Sequence, residues 1–172
     1  SCTKAFTAVT IGRMVDEGKL RWDDPVRKHL PDFELFHPFL TREVTIRDLL
    51  AHRTGLELAN LLWSSNKFTP DEIMRRLRHV QPARSFRSGF HYNNLTYLVA
   101  GRIVEKVSRQ TWGQAVQEEI FRPLNMNSST IGFPKDEAIA WPHAEIEGKI
   151  VRLNAEPNYA AAIAPSGAIW SS

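Results

Sequence analysis

Apolar residues near the start of the chain recur at three- and four-residue spacing, the period of a helix with one buried face. The residues that follow this spacing predict a helix over residues 3–17, and they are Phe6, Ala8, Val9, Ile11 and Val15. Gly18 is placed to end it, since glycine readily adopts the left-handed conformation that closes many helices. The chain is therefore expected to open with a helix.

A second apolar stripe lies in the middle of the chain. Asn94 stands directly before it and is expected to cap the helix through its side-chain oxygen. The three- and four-residue spacing predicts a helix with one face in the core. The apolar positions are Leu95, Leu98, Val99, Ile103 and Val107.

Capping residues predict shorter helices where no stripe is present. Thr45 precedes one over residues 46–50. The segment 69–72, Thr-Pro-Asp-Glu, combines an N-cap threonine with a glutamate three residues later and predicts a helix to about His79. The segment 111–114 carries the related pair of threonine and glutamine and starts another helix.

The remaining segments are expected to be loops and one hairpin. Residues 56–68 and 82–89 predict loops. Residues 144–146 and 150–153 flank Glu-Gly-Lys and predict a small C-terminal hairpin. The predicted fold class is therefore α+β and predominantly helical.

Composition is that of an ordinary folded domain, with 42% hydrophobic and 24% charged residues among 172. We expect residues 1–172 to form part of a single domain. No apolar run approaches the roughly 20 residues of a membrane-spanning helix. The only cysteine, Cys2, excludes a disulfide within the chain.

The charge pattern gives no support to a nucleic-acid partner. Lysine and arginine number 22 against 19 acidic residues, but the two signs mostly alternate along the chain. The densest basic run, residues 75–79, follows Asp71 and Glu72, which is the order that a helix dipole favours. A solvated helix is expected there, and no nucleic-acid binding.

Ser1 and Lys4 are the first candidates for chemistry. Their spacing puts both side chains on one face of the first helix. A serine hydroxyl is a weak nucleophile that needs an adjacent base. A lysine can be that base only if its pKa falls from about 10.4. By itself the pair is better explained by a helix cap followed by a surface lysine.

Tyr92 and Asn94 form a second candidate pair, before the second long helix. A phenol whose pKa is lowered by a cation such as Lys4 can exchange a proton. The Asn94 amide can orient a substrate or the lysine, since it both donates and accepts hydrogen bonds. In isolation, a packed tyrosine and a helix cap explain these two residues better.

Together with the segments around them, these residues resemble the class C β-lactamase-like serine hydrolases, a family related to penicillin-binding proteins. The matching segments occur in the family's order and cover nearly the whole chain. They include residues 1–8, 15–20, 45–52, 92–94, 120–126 and 165–167.

The resemblance implies a β-lactamase/transpeptidase-like fold, in which an α/β domain joins a helical domain and the site lies between them. It implies that Ser1 is the nucleophile that forms an acyl-enzyme and that Lys4 is its base partner. Tyr92 would carry the proton to the leaving group and later take one from the deacylating water. Asn94 would contact Lys4 and the substrate amide.

The reaction implied by the resemblance is hydrolysis of an amide or ester, without a metal or organic cofactor. Substrates would be small molecules or peptides: a D-amino-acid peptide, as for a D-Ala-D-Ala carboxypeptidase, a small ester, or a β-lactam. The resemblance alone also suggests an extracytoplasmic location, in the periplasm or cell envelope.

The sequence departs from the family pattern at both ends. The family's sheet strands before the nucleophile are missing, and residues 1–172 contain neither Lys-Thr-Gly nor His-x-Gly, the family's third motif. In the family, the strand that carries this motif supplies one of the two backbone donors of the oxyanion hole. Loss of one such donor costs about 100- to 1,000-fold in rate. We therefore expect this chain to be a fragment of a hydrolase that is inactive by itself.

Two other interpretations start from the same residues. Ser1 could be an N-terminal nucleophile that uses its own α-amino group as base, although that fold is rich in strands and this sequence is not. A penicillin-binding-like scaffold or regulator that has lost turnover would keep the same landmarks. The intact Ser1, Lys4, Tyr92 and Asn94 argue against that loss.

Three further residue types are candidates for other roles: histidine, cysteine and tryptophan. No metal site is expected, because the six histidines never form His-x-x-x-His and Cys2 has no second thiol. Cys2 is expected to be a small buried residue. His52 is expected in a structural turn. Trp63, in the predicted loop 56–68, is the best candidate for the wall of an apolar substrate pocket.

Overall fold

A computed structural model of the protein describes residues 1–134, 139–153 and 161–171. The α-helices are α1 Thr3–Asp16, α2 Val26–His29, α3 Pro38–Glu43, α4 Ile46–Leu50, α5 Leu61–Ser64, α6 Pro70–Arg76, α7 Asn94–Ser108, α8 Trp112–Val116 and α9 Ala164–Gly167. Turns of 3₁₀-helix cover Leu77–His79 and Ala161–Ile163, and a π-helical turn covers Gln117–Phe121. The strands are β1 Thr130–Ile131, β2 His143–Ile146, β3 Lys149–Arg152 and β4 Ile169–Trp170.

The strands form two small antiparallel pairs. β2 pairs with β3, which confirms the predicted hairpin, and its turn residues Glu147 and Gly148 both have positive φ, at 52° and 74°. Positive φ at both positions is the type I′ turn, one of the two types that two-residue hairpins favour. β1 pairs with β4, so that Thr130 lies opposite Trp170 and the end of the described chain returns beside β1.

Helix α7 is the centre of the fold and packs against α1, α4, α8 and α9. Leu95, Val99 and Ile103 on this helix are almost completely buried, as the apolar stripe predicted. The approach of α9 is close, because a Cβ added at Gly101 would lie 2.2 Å from Cγ of Pro165. A glycine at this point therefore lets the two helices touch.

Helix α1 confirms the first prediction and ends before Gly18, whose φ is 71°. Its buried face is more polar than the stripe suggested, since Thr3, Thr7 and Thr10 are buried beside Ile11. These hydroxyls are hydrogen-bonded: Thr7 Oγ1, for example, donates to the Pro165 carbonyl at 2.7 Å. A buried polar face of this kind fixes the position of α1 against the segment that carries α9.

Local capping chemistry was predicted well. Thr45, Thr69 and Thr111 each form a capping box with the residue three positions later. The helix that starts at Thr69 continues as a 3₁₀ turn to His79, close to the predicted end.

Three predictions were wrong. The N-cap of α7 is Asn93, whose Oδ1 accepts from the Leu95 amide at 2.8 Å, whereas Asn94 is the first helical residue. Residues 56–68 contain the single-turn helix α5. Cys2 is exposed, because its neighbours Thr3 and Lys4 take the buried side of α1.

Within the described residues, no helix combines the length and the apolar character that crossing a lipid bilayer requires. The same part of the chain contains no group of three or more histidine, cysteine or acidic side chains placed to hold a metal ion. Ser172, the last residue of the predicted domain, lies outside the described residues.

Candidate active site

The first turn of α1 carries Ser1 and Lys4 on one side. The Lys4 amide donates to the Ser1 carbonyl at 3.1 Å, so that the two residues lie one above the other. Lys4 is 8% exposed, and its Nζ lies 3.4 Å from Ser1 Oγ. The serine hydroxyl therefore lies at the solvent side of a buried ammonium group.

Two oxygen atoms accept hydrogen bonds from the Lys4 ammonium. Nζ donates to Asn94 Oδ1 at 2.8 Å and to the Ser166 carbonyl at 3.0 Å. Both acceptors are neutral. The hydrogen bonds therefore hold the Lys4 ammonium in place, and no negative charge among these two acceptors neutralises it. Its positive charge acts on the neighbouring Ser1 hydroxyl and Tyr92 phenol.

Tyr92 completes the cluster. Its Oη shares a hydrogen bond with Ser1 Oγ at 2.7 Å, and Lys4 Nζ lies 4.7 Å from the centre of its ring. Burial alone would raise the pKa of Tyr92, but hydrogen bonding to Lys4 and Ser1 and the charge of Lys4 outweigh burial and lower it. A phenol of lowered pKa in contact with a hydroxyl is suited to proton transfer.

Asn93 explains how Asn94 comes to face Lys4. Asn93 is fully buried, caps α7 and donates from Nδ2 to the carbonyls of Leu56 and Glu57 at 3.2 and 3.0 Å. Because Asn93 does the capping, the Asn94 side chain is released to bind Lys4. Two adjacent asparagines thus have separate tasks.

The contact from Ser166 was missed by sequence reasoning. It is a main-chain carbonyl, and no side-chain pattern marks which carbonyl an ammonium will bind. Its position is fixed by the neighbouring contacts of α1 with the same segment: Thr7 Oγ1 donates to Pro165 O at 2.7 Å, and Thr3 Oγ1 accepts from the Ile169 amide at 3.0 Å.

His52 was expected only as a structural turn residue, and it contacts the site. Its ring lies 4.5 Å from that of Tyr92, and its Nδ1 accepts from the Asn93 amide at 3.1 Å. Burial, together with the positive charge of Lys4, lowers the pKa of His52 to about 4. The neutral imidazole is therefore the form present near neutral pH.

Trp63 lies in the core, 8% exposed, and its Nε1 donates to Asn60 Oδ1 at 3.2 Å. The four other candidates, Ser1, Lys4, Tyr92 and Asn94, are joined by the hydrogen bonds described above. A role for Trp63 in a substrate pocket stays a prediction.

The structure is a helical bundle with a cluster of serine, lysine and tyrosine at its edge. This combination points to the same family as the sequence resemblance, and comparison with known proteins agrees. The beta-lactamase family model matches residues 1–172. The chain belongs to the beta-lactamase family and has a β-lactamase/transpeptidase-like fold.

One curated relative and two solved structures illustrate the similarity. The chain is 33% identical over 138 residues to Unguisins hydrolase ungD' of Aspergillus campestris, which covers 75% of this chain and 26% of that protein. The octameric penicillin-binding protein homologue from Pyrococcus abyssi has a TM-score of 0.78 at 30% identity, covering 99% of this chain and 40% of that one. D-amino acid amidase from Ochrobactrum anthropi has a TM-score of 0.78 at 26% identity, covering 100% and 52%.

The shared region is only a part of each relative. The chain spans about a quarter of the length of the curated relatives that it matches first. What those whole proteins do is therefore a basis for a proposal about this one.

Proposed function

We propose that the protein is a serine hydrolase that forms an acyl-enzyme at Ser1 and cleaves an amide or ester. The observation that carries the proposal is the 2.7 Å contact between Ser1 Oγ and Tyr92 Oη beside the buried ammonium of Lys4. A hydroxyl, a phenol of lowered pKa and a fixed positive charge are the parts that an activated serine requires.

In the proposed acylation step, Ser1 Oγ attacks the substrate carbonyl carbon and gives its proton to the site. Tyr92 Oη at 2.7 Å is a closer acceptor than Lys4 Nζ at 3.4 Å. Tyr92 is then the base, and Lys4 is its partner, because the ammonium favours the phenolate form of Tyr92. The tetrahedral intermediate collapses when Tyr92 returns the proton to the leaving nitrogen or oxygen.

Deacylation reverses the proton path. Tyr92 takes a proton from water, the hydroxide oxygen bonds to the acyl carbon, and the acid product leaves as Ser1 Oγ regains a proton. Asn94 binds Lys4 through Oδ1. Its Nδ2 is the group that would donate to the substrate amide carbonyl.

The substrate class is supported by the names of similar proteins, one a hydrolase of unguisins and one an amidase of D-amino acids. The second name favours an amide bond for this chain. A D-amino-acid peptide, a small ester or a β-lactam fits the proposed chemistry. The extracytoplasmic location and the absence of a nucleic-acid partner stay predictions from the sequence.

The experiment is covalent labelling of the full-length protein. A fluorophosphonate or a penicillin should add one equivalent of label, which mass spectrometry of peptides should locate on Ser1. The Ser1→Ala variant is the control and should remain unlabelled. Labelling of a different residue, or of both proteins alike, would contradict the proposal.

The 172-residue chain gives a separate test. Its sequence contains neither Lys-Thr-Gly nor His-x-Gly, and we propose that it is inactive by itself, so that Ser1 is not acylated in it. A stoichiometric acyl adduct on Ser1 of this chain would overturn that inactivity while it supported the assignment of the nucleophile.

A further inference from the structure

His52 binds the chain on both sides of Tyr92. Its main-chain carbonyl accepts from the His91 amide at 2.8 Å, and its side-chain Nδ1 accepts from the Asn93 amide at 3.1 Å. The residues directly before and after Tyr92 are therefore tied to a single residue, and the backbone of Tyr92 is held between two fixed points.

The backbone of His52 closes helix α4. Its φ is 54°, in the left-handed region that histidine enters more readily than most residues other than glycine. The conformation belongs to the end of the helix, because the His52 amide donates to the Leu49 carbonyl at 3.4 Å and the Arg53 amide donates to the Asp48 carbonyl at 3.0 Å. The residue that ends α4 therefore also makes the double contact with the Tyr92 segment.

The imidazole also supports the tyrosine ring. It is 5% exposed and lies between two aromatic rings, 4.5 Å from Tyr92 and 5.2 Å from Tyr97. Tyr97 is anchored in turn, since its Oη donates to the Leu50 carbonyl at 3.0 Å. The phenol of Tyr92 therefore rests against a packed surface on the side away from solvent.

We propose that His52 is a positioning residue, which holds the Tyr92 phenol at hydrogen-bond distance from Ser1. The inference rests on the proposed function for its catalytic consequence, although the positioning itself is a property of the fold. His52 has no part in proton transfer. Its Nδ1 must remain an acceptor, so that the neutral ring carries its hydrogen on Nε2.

Two variants of equal shape isolate the acceptor. In His52→Asn, Oδ1 takes the place of Nδ1, and asparagine tolerates positive φ. In His52→Leu, a methyl group stands at the same position and accepts nothing. Both variants lose the imidazole ring, so a difference between them reports the hydrogen bond to the Asn93 amide together with the cost of leucine at positive φ. His52→Gly separates the two contributions, because glycine adopts positive φ readily and accepts nothing, and it should behave like His52→Leu if the hydrogen bond is the cause.

The first measurement does not depend on catalysis. The full-length protein is labelled with ¹³C at tyrosine Cζ, and the resonance of Tyr92, assigned with Tyr92→Phe, is titrated with base. The lowered pKa of Tyr92 arises in part from its hydrogen bonds with Lys4 and Ser1. The midpoint should rise in His52→Leu and stay close to that of the native protein in His52→Asn.

The second measurement is the rate of Ser1 acylation by a p-nitrophenyl ester, followed as the burst of nitrophenol. A misplacement of about 1 Å at a reacting group costs on the order of 100-fold. We expect a loss of about 10- to 100-fold in His52→Leu and recovery to within about threefold in His52→Asn. The loss should fall on the acylation rate constant rather than on ester binding.

His37→Leu is the matched control, because His37 Nδ1 also accepts an amide hydrogen, from Phe39 at 3.2 Å, at the exposed start of α3. It should leave both measurements unchanged. Equal titration midpoints in the native protein and in His52→Leu would overturn the positioning role. If the native protein gives no burst but the midpoints separate as expected, the proposed function fails and the positioning role stands.

Discussion

At the scale of single residues, the proposed reaction of Ser1 depends on Tyr92. Its Oη lies 2.7 Å from Ser1 Oγ, and 37% of the residue is exposed. The phenol combines access with a lowered pKa. The following two predictions test the phenol hydroxyl as a proton acceptor and Lys4 as a cause of its lowered pKa.

Tyr92→Phe removes the proton acceptor and keeps the ring. Loss of a general acid–base group costs about 10²- to 10⁴-fold, so acylation of Ser1 should fall by that range. The burst rate with a nitrophenyl ester measures it. Tyr97→Phe keeps the second buried ring and is the control, and an unchanged burst in Tyr92→Phe would refute the proton-transfer role.

Lys4→Met tests the charge behind the phenol. Burial pushes the pKa of Tyr92 upward, and the hydrogen bond and charge of Lys4 push it downward. Without the ammonium, the pKa of Tyr92 should rise, and ultraviolet titration of the phenol reports the change. Lys28→Met removes a lysine that is paired with Asp24, and it should leave the Tyr92 midpoint in place. A lower midpoint in Lys4→Met would contradict the assignment.

At the scale of elements, the contact between α7 and α9 positions a carbonyl that accepts a hydrogen bond from Lys4. Gly101 faces Pro165 at a distance that leaves no room for a methyl group, and the next residue, Ser166, supplies the carbonyl bound by Lys4. The packing of two helices thus sets the position of a hydrogen-bond acceptor.

Gly101→Ala should therefore damage both stability and the site. Overpacking of this kind costs about 1–3 kcal/mol, measured as the free energy of unfolding in urea. Gly12→Ala in α1 is the control, since its Cβ would lie 3.5 Å from the Trp22 ring and alanine favours a helix by about 0.5–1 kcal/mol. If Gly101→Ala were as stable as Gly12→Ala, the close contact would be wrong.

The N-terminus of α4 is held by a buried carboxylate. Asp48 is fully buried, forms the capping box with Thr45, and pairs with Arg53 and Arg87, each at 2.7 Å. Burial alone would raise the pKa of Asp48, but these hydrogen bonds lower it to about 2. This carboxylate joins α4 to the segment that leads to Tyr92.

Asp48→Asn should cost about 3 kcal/mol in the free energy of unfolding, because two arginines lose a buried partner. Asp23→Asn removes an exposed partner of Arg47 and is the matched control. The surface pair should contribute less than about 1 kcal/mol. Equal losses in the two variants, measured in urea at pH 7, would show that the buried ion pairs of Asp48 contribute no more to stability than the exposed pair of Asp23.

At the scale of the whole molecule, structure that depends on neighbouring residues was easier to predict from the sequence than contacts between residues far apart in the chain. The capping boxes depend on residues three positions apart, so the sequence is sufficient to find them. The assignment of the α7 cap to Asn93 depends on the carbonyls of Leu56 and Glu57, 37 and 36 residues away. Helix α5 has no capping side chain, and its buried residue Trp63 packs in the core.

The candidate site shows the same division. Ser1 and Lys4 are neighbours on one helix turn, which their spacing already indicated. Their meeting with Tyr92 came from family resemblance, since 91 residues separate Ser1 from Tyr92. The contribution of His52 was not foreseen, because a buried histidine in a turn has the same sequence whether or not it supports a reactive group.

Acid should destabilise the protein in two stages. The pKa of His52 falls from 6.5 to about 4 on folding, because burial and Lys4 disfavour the charged ring. Its contribution is therefore complete above pH 6.5 and is lost as the pH falls toward 4. The pKa values of Asp48 and Asp24 are lowered to about 2, so their contribution is lost only below about pH 3.8.

The interval from pH 7 to pH 5 therefore isolates His52. Its protonation in the unfolded chain should remove about 2 kcal/mol from the free energy of unfolding over this interval. Urea denaturation at both pH values measures the change. His52→Asn does not titrate here and should show a smaller change, and an equal change would exclude His52 as the cause.

Three neighbouring side chains of α1, Thr3, Lys4 and Thr7, each form a hydrogen bond with residues 165–169. The contact between Lys4 and Ser166 spans 162 positions of the chain. During synthesis, the ribosome must therefore release nearly all of this segment before the ammonium beside Ser1 acquires its last partner. If Ser1 is the nucleophile, as proposed, it is made long before the carbonyl that orients its lysine partner, and the site is complete only when residues 165–169 pack against α1.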